Sequence, residues 1–79
     1  MKSDILIVAD QNNVDKNKLE EIADAVRYGG GNIEEVDTSR CVIEATVDPR
    51  EIPVIERMEG VSYVRPIFTY HDQMSEVED

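Results

Sequence analysis

Seventy-nine residues suffice for one domain that buries roughly two-thirds of its unfolded-chain surface, which leaves no second lobe to enclose a deep catalytic cleft. Eight Lys and Arg against 18 Asp and Glu give a net charge of -10; with no run of three basic residues, nucleic acid and anionic membrane are poor partners, while a basic protein surface is attracted. Cys41 is the only cysteine, so no internal disulfide staples the fold and the core must hold it alone.

Ile5, Leu6, Ile7, Val8 and Ala9 form a continuous β-rich run between Asp4 and Asp10, which predicts a central strand. The run is too short for a signal-peptide apolar region or a membrane span, so the chain as it stands reads as cytoplasmic, or as secreted if it is a processed fragment. Gln11-Asn12-Asn13 is a turn, and Asp15 is placed to cap a helix, with Val14 and Leu19 forming a hydrophobic staple. Leu19, Ile22, Ala23 and Val26 then recur at helical spacing, with Glu20, Glu21, Asp24 and Arg27 facing water. Gly29-Gly30-Gly31 ends this helix, since a left-handed cap favours a residue without Cβ. The loop follows a helix and precedes a strand, the reverse of a phosphate cradle.

Ile33 to Asp37 reads as a short acidic strand, and Thr38-Ser39-Arg40 as the hairpin turn into Cys41–Val47. In that strand Cys41, Ile43, Ala45 and Val47 share one face, and Val42, Glu44 and Thr46 the other. Asp48-Pro49-Arg50-Glu51 has the form of a capping box with proline at the first helical position. Pro53 biases Ile52 away from helical angles, which predicts a helix that is short or begins only at Pro53, with Ile52, Ile55 and Met58 inward and Gly60 as its end. Val61 to Val64 resumes strand alternation towards Tyr70, and Pro66 within it requires an edge. The polar, acidic residues 72–79 read as a flexible tail beyond a domain of residues 1–71.

Strand, helix, strand, strand, helix, strand is the βαββαβ order of the ferredoxin-like split βαβ sandwich, an α+β fold with two helices on one face of a four-stranded antiparallel sheet. Its strand order 4-1-3-2 makes the first and third strands central and the fourth an edge.

Little in the chain carries catalysis. Cys41 and His71 are the only thiol and imidazole; the first reads as a small buried hydrophobe and the second as a bystander at the start of the tail. One Cys and one His do not make a zinc site, and neither Glu34, Glu35 and Asp37 nor Glu76, Glu78 and Asp79 has the spacing of a calcium loop. The expectation is a protein that is not an enzyme and has no cofactor and no metal. What remains is surface: the helix-free sheet face with Val42, Glu44 and Thr46, and a fourth strand and extension that hold Tyr63, Phe68, Thr69 and Tyr70.

Residues 30 to 64 resemble the propeptide-type inhibitors of subtilisin-like serine proteases: Gly30-Gly31-Asn32-Ile33, the β-rich run to Val47, Ile52 and Ile55 on a short helix, and Gly60-Val61-Ser62-Tyr63-Val64. The first strand and the Leu19/Ile22/Val26 helix also fit. The resemblance implies a ferredoxin-like domain that packs its open sheet face on the protease as inhibitor or chaperone. It further implies that Phe68, Thr69, Tyr70, His71, Asp72 and Gln73 run as an extended strand into the substrate cleft, by β-augmentation. The chain departs from the family at Arg65-Pro66-Ile67, where acidic residues are usual, and in its long acidic end. The second reading is an acidic interaction or assembly module without a protease target, with a homodimer through the sheet as one form of it.

Overall fold

In the computed structural model, which describes residues 2–67, the apolar-polar alternation of Ser3–Ala9 (β1) and Val42–Val47 (β3) produces two central antiparallel strands. Ile5 lies opposite Ala45 and Ile7 opposite Ile43, so one face of the pair is wholly apolar. Asn32–Asp37 (β2) pairs antiparallel with the outer side of β3, and Val61–Pro66 (β4) with the outer side of β1, giving the sheet order β2-β3-β1-β4. Pro66 therefore lies on an edge strand, where its missing amide costs no ladder bond. The architecture is α+β, a four-stranded antiparallel sheet with two helices.

Lys16–Tyr28 (α1) joins β1 to β2, and Ile52–Glu56 (α2) lies between β3 and β4. Leu19, Ile22, Ala23 and Val26 of α1 and Ile55 of α2 merge with Ile5, Ile7, Ala9, Ile43, Ala45 and Val47 in one core. Both helices thus cover the same sheet face. Asp15 caps α1 as its position predicts, its Oδ1 accepting from the Lys18 amide at 2.8 Å. No helix of the described residues is long and apolar enough to cross a membrane.

Three local expectations are corrected. Ile52 is helical, with φ -58 and ψ -47, because Pro53 falls in the first turn of α2, where no intrahelical amide bond is required. Asp48-Pro49-Arg50-Glu51 is not a reciprocal capping box. Its Pro49–Glu51 segment is a 3-10 turn, and Asp48 Oδ1 accepts from the Arg50 amide at 2.9 Å. Cys41 is buried as expected but stands outside β3, with φ 59. Asp37 Oδ1 organises that hairpin by accepting from the Ser39 amide (3.1 Å), the Ser39 hydroxyl (2.7 Å) and the Arg40 amide (3.1 Å). The chain then turns through Cys41, whose Sγ donates to the Val14 carbonyl at 3.5 Å.

The three glycines after α1 are not equivalent. Gly29 is the C-cap at φ -82 and Gly30 alone takes the left-handed conformation, φ 97. Gly31 is needed for space: a Cβ there would lie 2.8 Å from Val26 Cγ1 and 2.9 Å from Val47 Cγ1. Gly31→Ala is expected to lower stability by about 1–3 kcal/mol through overpacking, and Gly30→Ala by about 1 kcal/mol through backbone strain. Urea unfolding separates the two causes. Asn, which tolerates left-handed angles, restores most of the loss at position 30 and none at position 31.

Candidate functional site

The alternation that sends Ile5, Ile7, Ile43 and Ala45 into the core sends their neighbours to the other face, which no layer of the described residues covers. Asp4, Leu6 and Val8 come from β1, and Val42, Glu44 and Thr46 from β3. Leu6 sits between Glu44 and Arg65, Val8 between Val42 and Tyr63, and Asp4 opposite Thr46. Leu6, Val8 and Val42 are half-buried by their own neighbours, whereas Tyr63 is 53% exposed. The face therefore has an apolar floor in its two central strands.

Edge strand β2 makes the face acidic. A register shift between Ile33 and Glu35 leaves Ile33 opposite Ala45 and Glu35 opposite Glu44, with Glu34 as the extra residue of a bulge. Thr46 Oγ1 donates to Glu34 Oε2 at 3.1 Å, so both consecutive glutamates serve the uncovered side. Regular alternation would have turned one of them to the core. Glu35, Asp37, Arg40, Leu6, Val42 and Glu44 line an open depression here.

Glu44 is the centre of this charge. Desolvation by its neighbours, followed by the charges of Asp4, Glu34 and Glu35, pushes its pKa up from the ordinary 4.5. Asp4 Oδ1 is buried with no hydrogen-bond partner among the described residues. Asp37 goes the other way: the Ser39 hydroxyl bond, then the Arg40 amide, hold its carboxyl below the usual range. At the opposite end of β3, the Arg50 guanidinium holds Asp48 down to about 2.

Val42, Glu44 and Thr46 are thus brought together on the uncovered face. Phe68, Thr69, Tyr70, His71, Asp72 and Gln73 lie outside the described residues, as do residues 72–79 assigned to the tail. Asp4 and Leu6 join the face, as do Glu34 and Glu35, which in the sequence are weighed only as a calcium cluster and are not assigned to it. The period-2 pattern of β1 carries the signal for Asp4 and Leu6, but reading Ile5 to Ala9 as one apolar run conceals it. The bulge has no such signal. Among the described residues, no group of three or more His, Cys, Asp or Glu is arranged to hold a metal ion. No protein-family model matches the chain, and a search of curated proteins finds no similar sequence.

Like charges directly opposite one another on a sheet destabilise it, and Glu35 faces Glu44. The native state binds protons to Glu44 more tightly than the unfolded chain does, so its contribution to stability is lost as pH rises from 4.5 through the raised folded value. Glu44→Gln is accordingly expected to stabilise the fold at neutral pH by about 0.5 kcal/mol, roughly 3 °C in Tm. The gain should vanish below the ordinary glutamate pKa, which thermal scans of both proteins across pH will read.

Proposed function

We propose that the sheet is the ferredoxin-like one and that the chain works by binding rather than catalysis, as a propeptide-like inhibitor or chaperone of a subtilisin-type serine protease. The observation that carries this reading is the sheet face that no described layer covers, together with an edge strand beside it that is held to β1 as far as Ile67. Read from the β4 edge, the strand order is β4-β1-β3-β2, the order expected for a split βαβ sandwich. The Ile67 amide donates to the Asp4 carbonyl at 2.9 Å, so pairing with β1 holds the chain as far as the last described residue, beside the face that would rest on the protease. In this reading residues 68–73 add as a strand to the substrate cleft.

A second reading, an acidic interaction module without a protease target, draws support from the carboxylates of the face. Its homodimeric form fares worse. Two copies packed through this face would bring the carboxylates of Asp4, Glu34, Glu35 and Glu44 together, with Arg40 and Arg65 the described arginines near enough to offset them.

The test is inhibition of a subtilisin-type protease by the full chain and by a chain ending at Ile67, both verified as folded by circular dichroism. The expected result is dose-dependent inhibition and slow cleavage for the full chain, and loss of inhibition for the shorter one. Rapid digestion of the full chain without inhibition of several such proteases would overturn the protease reading and leave the interaction module.

A further inference from the structure

The open face has an apolar floor, an acidic surround and one buried acceptor atom without a donor among the described residues, and those residues offer it little positive charge. Of the two arginines near it, Arg40 is drawn to the turn carboxylate Asp37, its Nε 3.6 Å from Oδ2. Arg65 stands on the β4 side of Leu6, across β1 from Glu44. Asp4, Glu34, Glu35 and Glu44 make no ion pair with a described cation. Their mutual repulsion is a standing cost that nothing in the core requires.

We propose that the open sheet face docks a protein surface that presents an arginine or lysine among apolar side chains, the cation seated between Asp4 and Glu44 and its aliphatic stem lying on Leu6 and Val42. This rests on the reading of that face as a docking surface and adds the partner's chemistry to it. Charge complementarity selects this occupant. A second copy of the chain or a nucleic acid would meet carboxylates with negative charge, and an uncharged apolar surface would leave them buried and unpaired. A guanidinium supplies several donors in a planar fork, enough to serve the orphaned Asp4 Oδ1 and the Glu44 carboxylate together. Its stem covers apolar surface while its head stays on the acids. The bulge at Glu34 then has a role, since it adds a second carboxylate to the rim facing the cation.

The probe is a capped peptide of repeating Ala-Arg-Leu, titrated into the full isotope-labelled chain and followed by amide NMR shifts. A matched peptide has neutral citrulline in place of arginine. The expected result is saturable shifts centred on Leu6, Val42 and Glu44 with the arginine peptide, and none with citrulline. Asp4→Asn combined with Glu44→Gln should weaken binding about tenfold or more, the scale of a lost charge-assisted hydrogen bond. Glu20→Gln with Glu21→Gln on α1 removes the same charge away from the face and should leave affinity within about twofold, which controls for net charge.

Shifts scattered over α1 and α2, equal weakening by both double variants, equal binding of the citrulline peptide, or no shift at all would each overturn the proposal. So would self-association of the chain by sedimentation with shifts on the same face, which would make a second copy the occupant. The spectra of the variants report their folding directly. If the peptide seats as described but no subtilisin-type protease is inhibited, the protease reading alone fails. Inhibition that is unchanged by Asp4→Asn with Glu44→Gln would leave the protease reading standing and remove the cation seat.

Discussion

The register between β1 and β3 is the constraint on which the rest of the molecule depends. Ile5 opposite Ala45 and Ile7 opposite Ile43 place the core, and with the same stroke place Leu6 opposite Glu44 on the other side. Because side chains alternate with period two, a slip of one residue would bury Asp4 or Glu44 and expose the isoleucines. Core and acidic face are therefore one specification. The helices add to it without altering it: α1 supplies Leu19, Ile22, Ala23 and Val26 and α2 supplies Ile55, all to the side the register has already made apolar.

Elements governed by local chemistry could be read from the residues. Asp15 caps α1, Gly60 follows α2 in a left-handed conformation at φ 95, and Pro66 sits on an edge, each because one residue type satisfies one backbone demand. Where two local rules compete, the tertiary frame decides between them. Pro53 disfavours a helical residue before it and is also welcome in a helix's first turn; packing Ile52 and Ile55 against the sheet selects the second rule. Cys41 continues the apolar alternation of β3 and yet closes a hairpin whose turn requires a left-handed residue. The turn prevails because Asp37 collects three hydrogen bonds from the residues preceding Cys41. Val42, Glu44 and Thr46 were legible as one face, since alternation alone assigns them. The bulge at Glu34 was not, because an inserted residue is defined by its partner strand, and Glu34-Glu35 reads the same with or without it.

Acidity among the described residues has three kinds of residence. On α1 the carboxylates stand in water near cations, Asp24 with Arg27 at 2.7 Å and Glu21 with Lys18 at 3.8 Å, where such pairs contribute little either way. At the turns, Asp37 and Asp48 accept amide protons and are held in their ionised form, so their charge helps the fold. On the open face the balance reverses: Glu44 is desolvated beside three other acids and its ionisation is disfavoured.

That contrast bears on function. An exposed sheet face can be made innocuous by polar side chains such as threonine, and Thr46 is the one threonine among the described residues of this face. Instead the face combines half-buried Leu6, Val8 and Val42 with unneutralised carboxylates, an arrangement that weakens the isolated domain. A local rule broken without benefit to the fold is expected where a surface is completed from outside. The charge deters self-pairing while the apolar floor provides contact area, so the same residues that cost stability define which partner can lift that cost: one that brings positive charge to Asp4 and Glu44 and apolar surface to Leu6 and Val42.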